Sequence, residues 1–227
     1  MAKWQYTKGM HDLGNGCYAY LVPDGSWGWS NAGLVVDGDA TLMVDTLFDL
    51  KLTGEMLAAY RASIPAAKKI DILVNTHADG DHTFGNQLVE GARIIATQGT
   101  VTDFARFDPA VVQNICMNAE QFGSAGVFMR ECFRPFDFSG ITLTPPTETF
   151  SGTMDIMVGS KKVQLIEVGP SHSLGDALIY VPDDKVLYTG DILFTGGTSI
   201  AWDGPVYRWI NVCDRVLDMD VGTIVAG

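Results

Sequence analysis

The chain of 227 residues has only four histidines and four cysteines, and it is short of positive charge: 15 lysines and arginines stand against 27 aspartates and glutamates, a formal net charge of −12. A surface that acidic repels phosphate backbones and anionic headgroups, which argues against nucleic acid or a membrane surface as partner. No apolar run approaches the ~20 residues that a bilayer-spanning helix needs. The opening Met-Ala-Lys-Trp-Gln-Tyr-Thr-Lys lacks an apolar segment of ~7–15 residues and a small-residue cleavage site, so a cytoplasmic location is the expectation. Cys17, Cys116, Cys132 and Cys213 lie far apart without a CxxC pair. That spacing supports neither a disulfide frame nor a thiolate zinc site, and buried free thiols are expected. Charged residues make up 19% and hydrophobic residues 47%, a balance that folds rather than stays disordered. The length suits one domain over residues 1–227.

Cys17–Val22, Ala32–Val36 and Ala40–Thr46 read as short strands separated by Gly/Asp turns, an antiparallel meander. Leu52, Met56, Leu57 and Tyr60 recur at helical spacing up to Ile64-Pro65, and Ile70–Val74 follows as a buried strand. Phe84–Val89 and Thr100–Phe122 read as helical, with Pro109 opening a second helix. Strands return at Ile141–Thr144, Met154–Val158, Lys162–Val168, Ala177–Val181 and Lys185–Thr189, with turn signals at Val158-Gly159-Ser160 and Pro182-Asp183-Asp184. Arg208–Leu217 reads as a last helix and Gly222–Ala226 as a last strand. Both halves run strands, helix, strand, so two sheets packed face to face with helices outside is the natural architecture.

Two of the four histidines fall with two aspartates in Thr76-His77-Ala78-Asp79-Gly80-Asp81-His82, directly after the buried strand. If strand geometry persists there, His77, Asp79 and Asp81 project to one side, and the small Ala78 and Gly80 let the backbone bend so that His82 joins them. Imidazole and carboxylate together suit a divalent Zn, Fe or Mn centre. Taken alone, the cluster also fits a loop whose aspartates cap a helix starting near Phe84. Further along, Gly169-Pro170-Ser171-His172 and Tyr188-Thr189-Gly190-Asp191 place another histidine and a lone aspartate just past apolar strands. Strand ends are where side chains can meet in an open cleft.

In this order and spacing the three segments resemble the metallo-β-lactamase superfamily over essentially the whole chain. The resemblance implies an α/β fold, the four-layer αββα sandwich. It places His77 and His172 on ligands of a first metal, Asp81 and His82 on ligands of a second, and Asp191 on the carboxylate that bridges both. Asp45 matches an aspartate with a supporting role near the site. The chain departs from the pattern twice. Where the superfamily reads His-x-His-x-Asp-His, Asp79 replaces the second histidine, and the strand that usually leads to a last histidine stops here at Ile224-Val225-Ala226-Gly227, as if cut one residue early.

Two divalent ions carry four positive charges; Asp79, Asp81 and Asp191 offset three, and a bridging hydroxide would offset the fourth. Such a centre is a weaker Lewis acid than the usual one, and the extra oxygen ligand tilts selection from zinc towards Mn or Fe. Substitution at position 79 is also compatible with one metal, held by Asp81, His82 and Asp191. The resemblance implies a hydrolase in which a metal-bound hydroxide attacks and a site carboxylate, Asp81 or Asp79, manages the proton. Trp27 and Trp29, in the turn from Asp24 to Asn31, either line an apolar substrate lip or cover the sheet edge. The expected substrate is small and partly apolar: a lactone, ester or thioester, with dehalogenation or ether cleavage compatible. A non-haem iron oxidoreductase resembling the persulfide dioxygenases or di-iron proteins of the same fold is the main alternative, and a non-catalytic metal-binding protein a third.

Overall fold

A computed structural model describes residues 6–106 and 108–227 of the chain. The N-terminal stretch read for an export signal therefore lies outside the described residues as far as residue 5, as does residue 107 within the expected helical segment 100–122. The chain runs β1 (Gly9–Gly14), β2 (Cys17–Leu21), β3 (Ala32–Asp37), β4 (Ala40–Val44), α1 (Leu50–Ser63), β5 (Ile72–Val74), α2 (Gly80–Thr83), β6 (Arg93–Thr97), α3 (Gln98–Asp103), α4 (Pro109–Met117), α5 (Gly123–Phe133) and β7 (Glu148–Phe150). It continues as β8 (Thr153–Val158), β9 (Lys161–Glu167), β10 (Ala177–Val181), β11 (Val186–Tyr188), α6 (Val206–Asp218) and β12 (Thr223–Val225).

One sheet has the order β1-β2-β3-β4-β5-β6-β7 and the other β12-β11-β10-β9-β8. The first begins as the antiparallel meander that the Gly/Asp turns call for, then continues parallel from β4 to β7. Parallel pairing needs a crossover, and α1 supplies it between β4 and β5, as α6 does between β11 and β12. The repeated strands, helix, strand order is thus two sheets that each contain such a unit.

Alternation at period 2 sorts the strand residues between layers. Val35, Leu42 and Val44 turn towards the second sheet, where they meet Val163, Leu165, Ile179 and Tyr188 in the central core. Their neighbours Leu34 and Met43 turn outward onto Leu52, Met56, Leu57 and Tyr60 of α1. On the far side, Leu178 and Leu187 pack against Val212 and Val216 of α6. Four layers, αββα, result. Helix α1 starts where the Asp49 side chain accepts from the Leu52 N–H at 2.7 Å, a cap worth about 1 kcal/mol.

Several sequence expectations need correction. Residues 141–144 form no strand; the third hydrogen-bonded partner in the parallel run is β7, further along the chain, because the register of Ile95 to Thr97 is met by Glu148 to Phe150. The segment 84–89 holds only a tight turn at Asn86–Leu88, since the preceding helical turn α2 has already used the bend. The stretch 100–122 is broken into α3, α4 and a further tight turn, and α5, which follows, has no counterpart in the sequence reading. Cys17 alone of the four free thiols is buried; the others are half-buried. Burial and the nearby Asp184 carboxylate push the Cys17 thiol up to about 12, which leaves it inert. Among the described residues, no helix is long and apolar enough to cross a membrane.

Candidate metal centre

The centre forms where strands of both sheets end. Strand β5 stops at Val74, and the chain then bends rather than staying extended, so that His77 and Asp79 come from an irregular segment and Asp81 and His82 from the single turn α2. The period-2 projection of His77, Asp79 and Asp81 is therefore not how they converge. The backbone carbonyl of His82 accepts from Thr46 N–H at 2.9 Å, Thr46 Oγ1 at 3.1 Å and Asn75 Nδ2 at 3.1 Å, which fixes the turn from below. From the other sheet, His172 sits in a turn wrapped around Asp176, whose carboxylate accepts from the N–H groups of Ser171 and Ser173 and from Ser173 Oγ. Asp191 follows Gly190, which has φ +49° and no room for a Cβ beside Thr76 Oγ1, so glycine is required there.

These turns bring five of the six anticipated ligands into tight clusters. His77 Nε2, His82 Nε2 and an oxygen of Asp191 form one set within 4.8 Å of one another, and His77, Asp79 and His172 form a second. The two oxygens of Asp191 face different histidines: Oδ1 lies 3.0 Å from His82 Nε2, and Oδ2 lies 3.6 Å from His172 Nε2. Asp81 stands slightly outside, with Oδ2 3.8 Å from His82 Nε2. Asp79 Oδ2 lies 3.3 Å from His172 Nε2 and 3.7 Å from His77 Nε2.

The donor set fits a divalent cation. His77 Nε2, His82 Nε2 and Asp191 Oδ1 are buried without a hydrogen-bond partner, and the short approach of the last two lacks the alignment of a hydrogen bond. Buried polar atoms are almost always paired, and three aimed at one point are what a metal ion would satisfy. The opposite ring nitrogens are held: His82 Nδ1 by Asp45 Oδ2 at 2.9 Å, His172 Nδ1 by the Ile200 carbonyl at 2.7 Å, and His77 Nδ1 beside Thr76 Oγ1 at 3.0 Å. Such outer partners set the tautomer that leaves Nε2 with its lone pair. Asp45 is itself left-handed at φ 60°, a region that aspartate tolerates better than most residues, and it also accepts from Thr76 N–H and Oγ1, each at 2.7 Å.

The charges divide unevenly. Burial would raise the Asp79 carboxyl, but the His172 and His77 imidazoles hold it well below the usual range. Asp191 is likewise held low against its burial, chiefly by His82. Burial above all lifts Asp81 to about 6 against the attraction of His82, with repulsion from Asp191 and Asp79 adding to the rise. His172 rises to about 9 despite burial because Asp79 and Asp191 adjoin it, and His82 rises well above its ordinary value beside Asp191, Asp81 and Asp45.

A cavity of about 410 Å³ opens over the centre, with Asp79, Asp81, His172 and Asp191 at its floor and Trp27, Trp29, Phe128, Phe133, Phe194 and Trp202 among its walls. Both tryptophans of the 24–31 turn therefore face the cavity, Trp29 also packing on Phe136 at 4.7 Å between centroids. Sequence reasoning assigned no role to Trp202, yet its indole N–H donates to Asp79 Oδ2 at 2.8 Å. It also missed Asp176, although Ser171-His172-Ser173 followed by an aspartate is a turn signature.

The family model of the metallo-beta-lactamase superfamily matches residues 25–227. The chain belongs to that superfamily. Within it, the chain is similar to the 2,4-dinitroanisole O-demethylase subunit alpha of Nocardioides sp. (strain JS1661), 27% identical over 199 residues that make up 86% of this chain and 51% of the relative. A linear primary-alkylsulfatase of Pseudomonas sp. (strain ATCC 19151) is 25% identical over 169 residues, 68% of this chain and 31% of the relative. The chain thus spans about half the length of the first and under a third of the second. Among solved structures, a metallo-beta-lactamase from Pontibacter korlensis superposes with a TM-score of 0.69 at 15% identity, over 97% of this chain and 90% of that one, a likeness of fold.

Proposed function

We propose that the protein is a metal-dependent hydrolase that adds water across a bond of a small, partly apolar substrate such as an ester, lactone or thioester, with cleavage of an ether by water as the same chemistry. The observation that carries this is Asp191 with one oxygen towards His82 and the other towards His172, among buried imidazole nitrogens that lack partners. His77, Asp79 and His172 would hold one divalent ion and His82, Asp81 and Asp191 the other, with Asp191 between them. Zinc is the first candidate and manganese or iron the alternatives, because the set is oxygen-rich. When bound, the metal would supply Lewis acidity and a water of lowered pKa.

The residues of the chain do the rest. The aromatic walls orient the apolar part of the substrate and exclude bulk water. Asp45, Thr76 and the Ile200 carbonyl keep the imidazoles in the tautomers that point Nε2 inward. Asp81 is the better placed of the two carboxylates to hold and return a proton, since both line the cavity but Asp79 Oδ2 is already committed to Trp202 and His172. The relatives support the substrate class in kind: one is named for an aromatic ether and the other for an alkyl sulfate, both molecules with an apolar part. Metal analysis of the purified protein together with turnover of 4-nitrophenyl acetate, γ-lactones and thioesters tests the proposal. Zinc or manganese with turnover supports it; iron with O2 consumption and no hydrolysis replaces it with an oxidoreductase.

A further inference from the structure

Among the described residues, three aromatic rings from separate segments meet along the wall of the cavity, where they form a roof over one side of it. Trp27, in the turn before β3, lies edge to face with Phe128 of α5, with centroids 5.2 Å apart and planes at 88°. On its other side it meets Trp202 at 6.2 Å and 81°. Phe128 is 51% exposed and Trp202 36% exposed, so the rings keep apolar surface in water beside a deep cavity. That surface has something to gain by closing on a ligand.

Charge selects what the ligand can be. Among the described residues that line the cavity there is no lysine or arginine, while Asp79, Asp81 and Asp191 stand at its floor. Arg106, which reaches Asp203 in the segment that carries Trp202, is engaged with Asp103 and Asp203 and does not line the cavity. The indole N–H of Trp202 is engaged with Asp79 and so is not offered to an anionic head. Among the described residues of the cavity, no lysine or arginine is placed to neutralise a sulfate, phosphate or carboxylate and so repay its desolvation.

We infer that the Trp27, Phe128 and Trp202 roof is a recognition site for a neutral, flat aromatic group, with Trp27 the residue that determines specificity. The inference rests on the hydrolase reading for the bond that is presented to the floor, but the aromatic preference is a property of the three rings and the preference for a neutral guest one of the cavity lining. Rings at right angles present both electron-rich faces and electron-poor edges, so an aromatic guest gains from edge and face contacts that an aliphatic one of equal area lacks. Two such contacts correspond to about tenfold in affinity.

Equilibrium dialysis decides the matter with three probes that the protein cannot hydrolyse: 4-nitroacetophenone, the anionic 4-nitrobenzenesulfonate with the same ring, and the aliphatic ketone 2-octanone. The measurement is made on zinc-loaded protein and on protein treated with a chelator. The expected result is that 4-nitroacetophenone binds at least tenfold more tightly than either of the others in both preparations. Trp27→Leu should remove most of that preference, and Phe128→Leu, at a half-exposed helix position that the fold tolerates, should reduce it by severalfold. Equal or tighter binding of the sulfonate or of 2-octanone overturns the inference, as does an unchanged preference in both variants. Tight aromatic binding without turnover of any ester would leave this inference standing and refute the hydrolase; ester turnover without the aromatic preference would do the reverse.

Discussion

Replacing Asp45 with asparagine tests whether the centre is held from behind by a single carboxylate. Asp45 is buried, its Oδ1 accepts the Thr76 N–H, and its Oδ2 accepts both Thr76 Oγ1–H and the His82 Nδ1–H. Asparagine has the same shape and tolerates the left-handed backbone, so the fold should survive. It keeps one oxygen, which the Thr76 N–H requires, and turns the other position into an NH2 donor. That donor faces His82 Nδ1, which must then become the acceptor and move its proton to Nε2. The nitrogen that faces Asp191 then carries a hydrogen where a metal needs a lone pair.

Loss of an outer partner of a metal-bound histidine typically weakens binding by about 10–100-fold, or roughly 1.4–2.8 kcal/mol. The loss of a charge-assisted hydrogen bond should also cost on the order of 1.5–3 kcal/mol of stability. Zinc affinity measured by competition with a coloured chelator, beside thermal unfolding of the chelator-treated protein, reads the two effects separately. Zinc binding as tight as in the parent protein would refute the argument from tautomers, whatever happens to the melting temperature.

Asp191→Ala removes the carboxylate that lies between His82 and His172 and should abolish turnover and cut bound metal by at least half, as read by elemental analysis; full activity would exclude a bridged pair of ions. Asp79→His should shift metal preference from manganese towards zinc in a competition assay, because it trades an anionic oxygen for a neutral nitrogen at the first site. In chelator-treated protein, His172 has its pKa raised from 6.5 to about 9, so its contribution to stability is fully present below pH 6.5 and is lost as pH rises through 9. Stability, read as a falling melting temperature, should drop across that interval by on the order of 3 kcal/mol at most, and zinc-loaded protein should show a much flatter profile.

The strands that could be read from the sequence are those that combine a run of apolar residues with clear turn residues at their ends. The β2 to β4 meander and the β8 to β11 meander announce themselves by turn residues and apolar runs, and both lie close to where the pattern put them. Strands β1, β6 and β7 went unread. Two are edge strands, half-buried or only three residues long, and β6 is recognisable only once β5 is known to need a parallel partner. Helix α5 is hidden for a related reason: only Gly126 in it is buried, so no apolar stripe marks it. At the centre, His77, Asp79, His172 and Asp191 stood out by residue type and placement after apolar strands. The roles of Asp176 and Trp202 did not, because each is defined by a partner that only the fold brings near.

Asp79 ties together two features of this chain, the His-x-Asp-x-Asp-His segment and the aromatic cavity. A single oxygen, Oδ2, lies 2.8 Å from Trp202 Nε1, 3.3 Å from His172 Nε2 and 3.7 Å from His77 Nε2. A histidine at this position could turn one lone pair inward to a cation or accept the indole N–H, but the same nitrogen could not do both. A carboxylate has several lone pairs and can do both at once. The indole so anchored is the ring that closes one side of the cavity against Trp27. The residue that adds a negative charge to the centre is therefore also the one that fixes a wall of the cavity, and a change there must alter both.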